Sequence, residues 1–240
     1  GYSTLWNTFG MMVETHMLKP YKQRVEGTYE LMKQFLKIID EDVSVVKNLR
    51  KIDADRYKVG SYYPIQWRVD STQTKTLNFK GFEAEMLPSE FTGAQRLKFD
   101  RTKPYARDVT YYNTFKAVDS ITIPEQYIVP QGYWNVIELL KKNKISYDVI
   151  QKDTVITAEV YHIKDYKTRN SPYEGHYLHY NTAVEVSEEE VALKKGDYIF
   201  NTQQDGVRYL LETLEPSATD SFFNWNFFDT ILQQKEGFSP

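Results

Sequence analysis

The chain has 240 residues, of which 41% are hydrophobic and 26% charged, a composition typical of a soluble globular protein with one large domain or two ordinary ones. Its 30 Lys and Arg against 33 Asp and Glu give a net charge of −3, which excludes a general attraction to nucleic acid or to an anionic membrane. Cysteine is absent, so disulfides, thiolate metal sites and cysteine nucleophiles are excluded too.

The first predicted elements are a short buried strand and a long amphipathic helix. Residues 8–14 read TFGMMVE, an apolar run too short for a helix, which favours a strand. After Pro20, a typical helix start, apolar residues recur every three or four positions and predict one helix face. These residues are Tyr21, Val25, Tyr29, Met32, Leu36 and Ile39. One strand and one helix cannot enclose a core, so we expect this face to pack on the β-rich part or on a second copy.

A charged stretch separates this unit from a β-rich remainder. Residues 40–58 read DEDVSVVKNLRKIDADRYK and indicate a helix tail or a linker, with a domain boundary within it. The segments that follow are rich in aromatic and β-branched residues with local alternation, which predicts strands. They are YYPIQWRVD (62–70), KTLNFKGFEAEML (75–87), QRLKFD (95–100) and VTYYNTFKAVDSITIP (109–124). Prolines such as Pro88 and Pro104 indicate turns or strand edges.

Helices and strands are both predicted in the last part of the chain. The spacing predicts a helix over residues 130–143 and strands over 145–150 and 154–163. Residues 182–202 predict a meander with a turn near residues 195–196. Further helices are expected at 204–214 and at 221–234, a segment with five aromatic residues.

Motifs for several classes of site are missing. The sequence has no phosphate-binding G-x-x-x-x-G-K-[ST] or G-x-G-x-x-G and no nucleophile elbow G-x-S-x-G. No run approaches the eighteen consecutive apolar residues that indicate a membrane-spanning helix. Neither H-E-x-x-H nor H-x-x-E includes any of the four histidines, which are His16, His162, His176 and His179.

His176 and His179 are the one histidine pair with a spacing that a metal ion could use. They would share a face on a helical turn, but SPYEGHYLHYN, with its Pro and Gly, predicts a loop that enters a strand. In a strand, positions three apart face opposite sides. We therefore interpret both as ordinary turn or surface histidines.

Two candidate sites remain open on the residues alone. Glu14 closes the predicted strand, and active sites in open α/β sheets gather at the carboxyl ends of strands, where a carboxylate can move protons. A structural role for Glu14 is the alternative. The tyrosine-rich segments YYPIQW, TYYN and YEGHYLHY either present rings to a sugar or peptide or pack within sheets.

The segment GYSTLWNTFGMMVETHMLKPYKQRVEGTYELMKQFLKII resembles the end of the catalytic domain in the zinc carboxypeptidase family of metallopeptidases, and most of all its large secreted bacterial members. In that family a late strand ends in a short hydrophobic-Glu motif that the last helix of the α/β/α peptidase unit follows. The family's glutamate acts as general base on the zinc-bound water and then donates the proton to the leaving amine. Glu14 in MVETH matches it, and residues 125–240 resemble the region after the peptidase unit.

The same resemblance implies parts that this chain lacks. The family's zinc ligands, a His and a Glu in H-x-x-E and a distant His, precede the matched segment and have no counterpart here. The substrate-binding arginine and the catalytic-site tyrosine also lie upstream. Such a peptidase needs zinc to polarise the carbonyl and activate water. We therefore expect zinc in the full-length parent, none bound by this chain, and no activity of this chain alone.

The resemblance implies an α+β architecture in two parts. Residues 1–50 are the strand and helix that end a carboxypeptidase-like catalytic domain, and residues 51–240 form a mainly antiparallel, sandwich-like accessory domain with two or three helices. The expected partners are a peptide substrate and the upstream catalytic domain, with no nucleic acid and no membrane, in a periplasmic or extracellular location. The alternatives are a parent that has lost its zinc ligands and binds peptide or glycan, and an independent binding module.

Overall fold

The structure, a computed structural model, describes residues 1–17 and 19–233. It is α+β and β-rich, with 25% helix and 38% strand, as the sequence predicts. The α-helices of the described residues are α1 (Tyr21–Glu41), α2 (Val43–Ala54), α3 (Trp134–Lys142) and α4 (Val207–Leu214). Short 3₁₀ helices occupy Tyr2–Trp6 and Asp229–Leu232. No helix in this part of the chain has the length and apolar character needed to cross a bilayer.

The strands form several small sheets. They are β1 (Tyr62–Val69), β2 (Lys75–Pro88), β3 (Gln95–Tyr111), β4 (Phe115–Thr122), β5 (Gln126–Val129), β6 (Asp148–Val149), β7 (Thr154–Thr168), β8 (His179–Leu193) and β9 (Tyr198–Asn201). Strand β1 pairs with β4, β2 with β3, and β7 with β8, while β5, β9 and β6 form a sheet with β9 in the centre. Each strand except β9 therefore has one edge that no strand of the described residues pairs with.

The chain divides into two compact units. The first comprises residues 1–66 and the chain from residue 120 onward, and the second comprises Trp67–Asp119. The resemblance implies a different division, at residue 50, between the end of a catalytic domain and an accessory domain. That division concerns which domain of the parent protein each part comes from. It stays a prediction, since the compactness of a unit does not reveal its origin.

The core of the first unit lies between α3, α4 and the sheet of β5, β9 and β6. Phe200, on the central strand β9, is completely buried there. The other buried members of the cluster are Val129, Val136, Ile137, Leu140, Ile145, Tyr209, Leu210 and Phe222. Trp6 of the first 3₁₀ helix stacks on Tyr209 with ring centroids 5.9 Å apart. The amino-terminal residues are thereby anchored to this core.

A second cluster joins β1 to α4. Its buried members are Tyr63, Ile65, Ile123, Val207, Leu211 and Ala218. The Tyr63 hydroxyl donates to Glu212 Oε1 over 2.6 Å. Burial raises the pKa of both the Tyr63 phenol and the Glu212 carboxyl above their ordinary values. The cluster thus extends from an apolar core to a desolvated polar pair.

The turn predicted near residues 195–196 is confirmed between β8 and β9. The Asp197 amide donates to the Lys194 carbonyl over 3.0 Å, and the Asp197 carboxylate accepts from the Lys194 amide and from the Gln131 amide. Gly196 has a φ of 102°, a left-handed conformation that favours glycine. A buried aspartate therefore fixes both this turn and the entry to α3.

The second unit consists mainly of the long β2–β3 hairpin, and most of its side chains are exposed. The pairing starts at Lys75 opposite Tyr111, and its register shifts between Phe82 and Ala84, beside Pro104. Proline cannot donate to a ladder, so it is tolerated at such an irregularity. The prediction that Pro104 marks a turn or a strand edge agrees with this position at an irregular part of a two-stranded sheet.

Helix α1 confirms the predicted helix, and α2 occupies the stretch predicted as a helix tail or linker. The predicted apolar face of α1 is exposed, however. The exposed fractions are 74% for Tyr21 and 69% for Leu36, and α1 has no buried residue. Within the described residues this face packs neither on the β-rich part nor on α2, so the expectation that it packs on the β-rich part is wrong for the chain by itself.

Two predicted elements differ from the structure. Residues 8–14 form an exposed segment without regular secondary structure rather than a strand, because no strand of the described residues pairs with them. The helix predicted at 221–234 is a series of turns over residues 222–228 followed by the second 3₁₀ helix. Residue 234 itself lies outside the described residues.

Candidate functional site

Glu14 lies in the exposed segment that joins the first 3₁₀ helix to α1. Its side chain is exposed, as are those of Met11, Met12 and Val13 before it. Backbone contacts hold both ends of the segment, since the Thr8 amide donates to the Ser3 carbonyl and the Lys19 amide donates to the His16 carbonyl. The carboxylate therefore stands in a solvent-accessible position directly before a long helix. His16, two residues further on, is also exposed.

The other histidines are not gathered around Glu14 or around one another in a ligand set. His176 lies in the loop before β8, where its ring stacks on Phe227 at 5.9 Å. His179 begins β8 and is 7% exposed. It contacts Thr168 Oγ1 through Nδ1 at 2.9 Å and Asp229 Oδ1 through Nε2 at 3.1 Å. The loop-to-strand prediction for this pair is confirmed, but the interpretation of His179 as a turn or surface histidine is wrong, because it is a buried residue of β8 that contacts Asp229.

Three arginines border a shallow cavity of about 410 Å³ between the first 3₁₀ helix, α2 and α4. Asp53 lies 3.6 Å from Arg56 and 3.7 Å from Arg208. Arg50 Nε donates to the Asn7 carbonyl over 2.9 Å, and Arg208 donates to the Thr4 carbonyl. Two of the three guanidinium groups therefore hold the segment that leads to Glu14. This structural role explains why the arginines lie together at the cavity.

A groove of about 520 Å³ lies between β5 and β7 and is called here the β5–β7 groove. Residues 124–130 line one side without a break, and residues 156–161 line the other. The remaining lining residues are Tyr133, Val191, Leu193, Leu214 and Phe228. The floor is apolar, and the only charged side chains among the described lining residues are those of Glu125 and Glu159.

A buried carboxylate connects the two sides of the β5–β7 groove. Glu215, at the end of α4, is 2% exposed and accepts a hydrogen bond from the Tyr127 hydroxyl on β5. The Tyr161 hydroxyl on β7 also bonds to Glu215. Burial, with the negative charge of Glu215, raises the pKa of both phenols. Both tyrosines therefore remain protonated donors to one carboxylate.

The exchange Tyr127→Phe tests this connection. It removes one donor to a buried carboxylate, and we expect the free energy of unfolding to fall by about 1–3 kcal/mol. Urea unfolding followed by circular dichroism measures the change. The matched control is Tyr62→Phe, because Tyr62 is 81% exposed and its hydroxyl can form hydrogen bonds with water in both the folded and the unfolded chain. If Tyr62→Phe lowers the free energy of unfolding as much as Tyr127→Phe does, the buried hydrogen bond to Glu215 does not stabilise the fold more than an exposed hydroxyl does.

No group of three or more His, Cys, Asp or Glu side chains within residues 1–17 and 19–233 is arranged to hold a metal ion. The ligand chemistry of these residues therefore does not fit a zinc centre.

Comparisons with known proteins add no relative. No family model, no curated protein and no solved structure matches the chain. What can be said of function therefore comes from the residues and from the geometry described above. Sequence reasoning pointed to Glu14 but not to the β5–β7 groove or to Glu215. The only signal for the groove was the richness in tyrosine, which does not say which rings meet.

Proposed function

We propose that this chain is the carboxy-terminal part of a zinc carboxypeptidase-like peptidase, in which Glu14 is the general base. The observation that carries the proposal is the MVETH motif with a long amphipathic helix shortly after it. The carboxylate of Glu14 is accessible in this arrangement, and α1 begins seven residues later, at Tyr21. In a peptidase the carboxylate would take a proton from the attacking water and pass it to the leaving amine.

The exposed apolar face of α1 supports the proposal. Tyr21, Tyr29 and Leu36 are each more than half exposed along one side of a 21-residue helix. A helix with such a stripe normally buries it against a core, and large exposed apolar surfaces mark interaction sites. The sheet of a preceding catalytic domain would cover this face, and residues 8–14 would gain a neighbouring strand from the same sheet.

The described residues do not fit a zinc site, so the proposal assigns the ligands to other parts of the parent protein. Within this chain only the proton-moving carboxylate of Glu14 belongs to the catalytic machinery. Residues 51–240 act as an accessory domain that braces the catalytic domain or shapes access to its cleft. A β-sandwich form of that domain and a periplasmic or extracellular location are further parts of the proposal, and both come from the family resemblance.

The test is a hydrolysis assay on the whole gene product that contains this chain. We expect it to hold about one zinc ion per polypeptide and to release the terminal residue from benzoyl-Gly-Phe. A chelator should abolish the release, and added zinc should restore it. The 240-residue chain alone should neither hold zinc nor release the terminal residue. The proposal would be overturned if the whole gene product has no H-x-x-E motif and does not hydrolyse the substrate. It would also be overturned if this chain alone hydrolyses the substrate.

A further inference from the structure

The β5–β7 groove is lined by two strands that each lie at the edge of their sheet. Successive side chains of a strand point to opposite faces, so a surface lined by an unbroken run of residues follows the edge, where the backbone lies. Residues 124–130 and 156–161 are two such runs. Strand β5 pairs only with β9, and β7 pairs only with β8, among the strands described. Each of the two strands thus has one edge whose backbone groups no described strand engages.

The floor of the groove suits apolar side chains of an extended ligand. Ile156, Ala158 and Val160 are half-buried and alternate with the exposed Thr157 and Glu159 along β7. Val191 and Leu193 extend the same apolar surface onto β8. A ligand strand in the groove would place every second side chain on this floor and direct the others to solvent. Main-chain bonds to the edges would provide affinity, and the floor would select the side chains.

The polar groups of the groove favour a peptide over a glycan. The hydroxyls of Tyr127 and Tyr161 are both engaged with Glu215, so they are not offered to sugar hydroxyls. Of the other described lining residues only Gln126, Tyr133 and Thr157 have uncharged polar side chains, so most directional hydrogen bonds to a ligand would come from the backbone of the strand edges. Glu125 and Glu159 are exposed at the rim, and none of the described lining residues is Lys, Arg or His. Charge complementarity therefore selects a ligand with positive ends.

We propose that the β5–β7 groove binds an extended peptide strand that alternates apolar and polar residues and carries Lys or Arg at its ends. Such a strand would lie about 4.8 Å from each neighbouring edge. This role goes beyond the proposed peptidase function, because it uses none of residues 1–14. A peptide-binding accessory domain is compatible with an active peptidase and equally with a parent that does not cleave.

The test is fluorescence anisotropy of the 240-residue chain with the labelled peptide KVTVTVK, acetylated and amidated at its ends. We expect saturable binding that weakens with added salt, because the rim charges are exposed and screened. The peptide EVTVTVE should bind at least about tenfold more weakly, since like charges then meet at the rim. A version of KVTVTVK with N-methyl groups on alternate residues should lose binding, because it cannot donate to a strand edge.

Two double variants separate the groove from general charge. Glu125→Lys with Glu159→Lys reverses both rim charges, and we expect KVTVTVK to bind at least about tenfold more weakly. Glu26→Lys with Glu41→Lys makes the same charge change on α1, at exposed positions outside the groove. Binding to this control should change by less than about twofold, since surface charges away from the contact contribute little.

The outcomes decide the proposal directly. Equal weakening in the two double variants would show general attraction and overturn it. Undiminished binding of the N-methylated peptide would overturn strand pairing, and no binding of KVTVTVK by the unmodified chain would overturn the proposal as a whole. A concentration-dependent dimer in sedimentation that the Glu125→Lys/Glu159→Lys variant abolishes, without peptide binding, would assign the groove to a second copy of the chain instead. None of these results depends on whether Glu14 is catalytic.

Discussion

Replacing Phe200 by alanine is expected to lower the free energy of unfolding of the first unit by about 3–5 kcal/mol. Phe200 is completely buried on β9, the central strand of its sheet. Its ring centroid lies 6.2 Å from that of Tyr198 and 6.2 Å from that of Tyr147, and α3 and α4 supply further buried neighbours. Neighbours fixed in a helix and in paired strands cannot collapse fully into the space that the ring leaves. The loss therefore includes a cavity term as well as lost burial.

Urea unfolding followed by circular dichroism measures this loss. Ordinary domains have stabilities of about 5–15 kcal/mol, so the variant will lose a large share of its stability. Phe200→Leu keeps most of the buried volume and should lose less than about 1.5 kcal/mol. Phe9→Ala is the control in the same unit, because Phe9 is 67% exposed, and it should change stability by less than about 0.5 kcal/mol. Similar losses of stability in Phe9→Ala and Phe200→Ala would show that Phe200 is not a core residue.

The long helix α1 is the element that the local spacing of apolar residues predicts best. The steps of three and four from Tyr21 to Ile39 predict a helix, and α1 spans Tyr21–Glu41. Helix formation depends on contacts within about one turn, so the sequence of the segment contains most of the information. The same pattern did not predict what covers the apolar face. Burial depends on a neighbouring surface, and α1 has no such surface over this face within the described residues.

The predictions that failed each depend on residues distant in sequence. Residues 8–14 have the composition of a strand, but a strand needs a partner that can accept its hydrogen bonds. The aromatic segment after residue 221 has the apolar content of a helix. Its backbone forms local turns instead, such as the bond from the Trp225 amide to the Ser221 carbonyl. The Phe222 amide donates to the Thr213 carbonyl, and the Asn224 side chain bonds to Thr182 and Ala218. Tertiary contacts therefore override local propensity there.

The β5–β7 groove could not be predicted, for the same reason. Its two sides lie about thirty residues apart in the chain, and Glu215, which joins them, lies more than fifty residues further on. A glutamate in LETLEPS has no sequence feature that distinguishes a buried carboxylate from an exposed one. Glu14, by contrast, could be singled out because its motif is local, and its catalytic role stays a prediction. The structure then adds that its carboxylate is exposed and that a well-formed helix follows it.

In the whole gene product that contains this chain, Glu14→Gln is expected to lower kcat by about 10²–10⁴-fold, the contribution that a general acid–base group typically makes. Glutamine keeps the shape of the side chain but can neither take a proton from water nor return it to the leaving amine. KM should change much less, because the proposal gives Glu14 no part in holding the substrate. Steady-state hydrolysis of benzoyl-Gly-Phe gives both quantities.

The matched control is Glu26→Gln on α1. Glu26 is exposed, and its contact with Lys22 at 3.7 Å is a surface ion pair that contributes little to stability. We expect this variant to keep kcat within about twofold and to unfold like the parent protein. Zinc content should be equal in both variants, because the proposal assigns the ligands to other parts of the parent, so a loss of activity at residue 14 alone isolates the proton transfer. Full activity in Glu14→Gln, or an equal loss in both variants, would show that Glu14 is not the base.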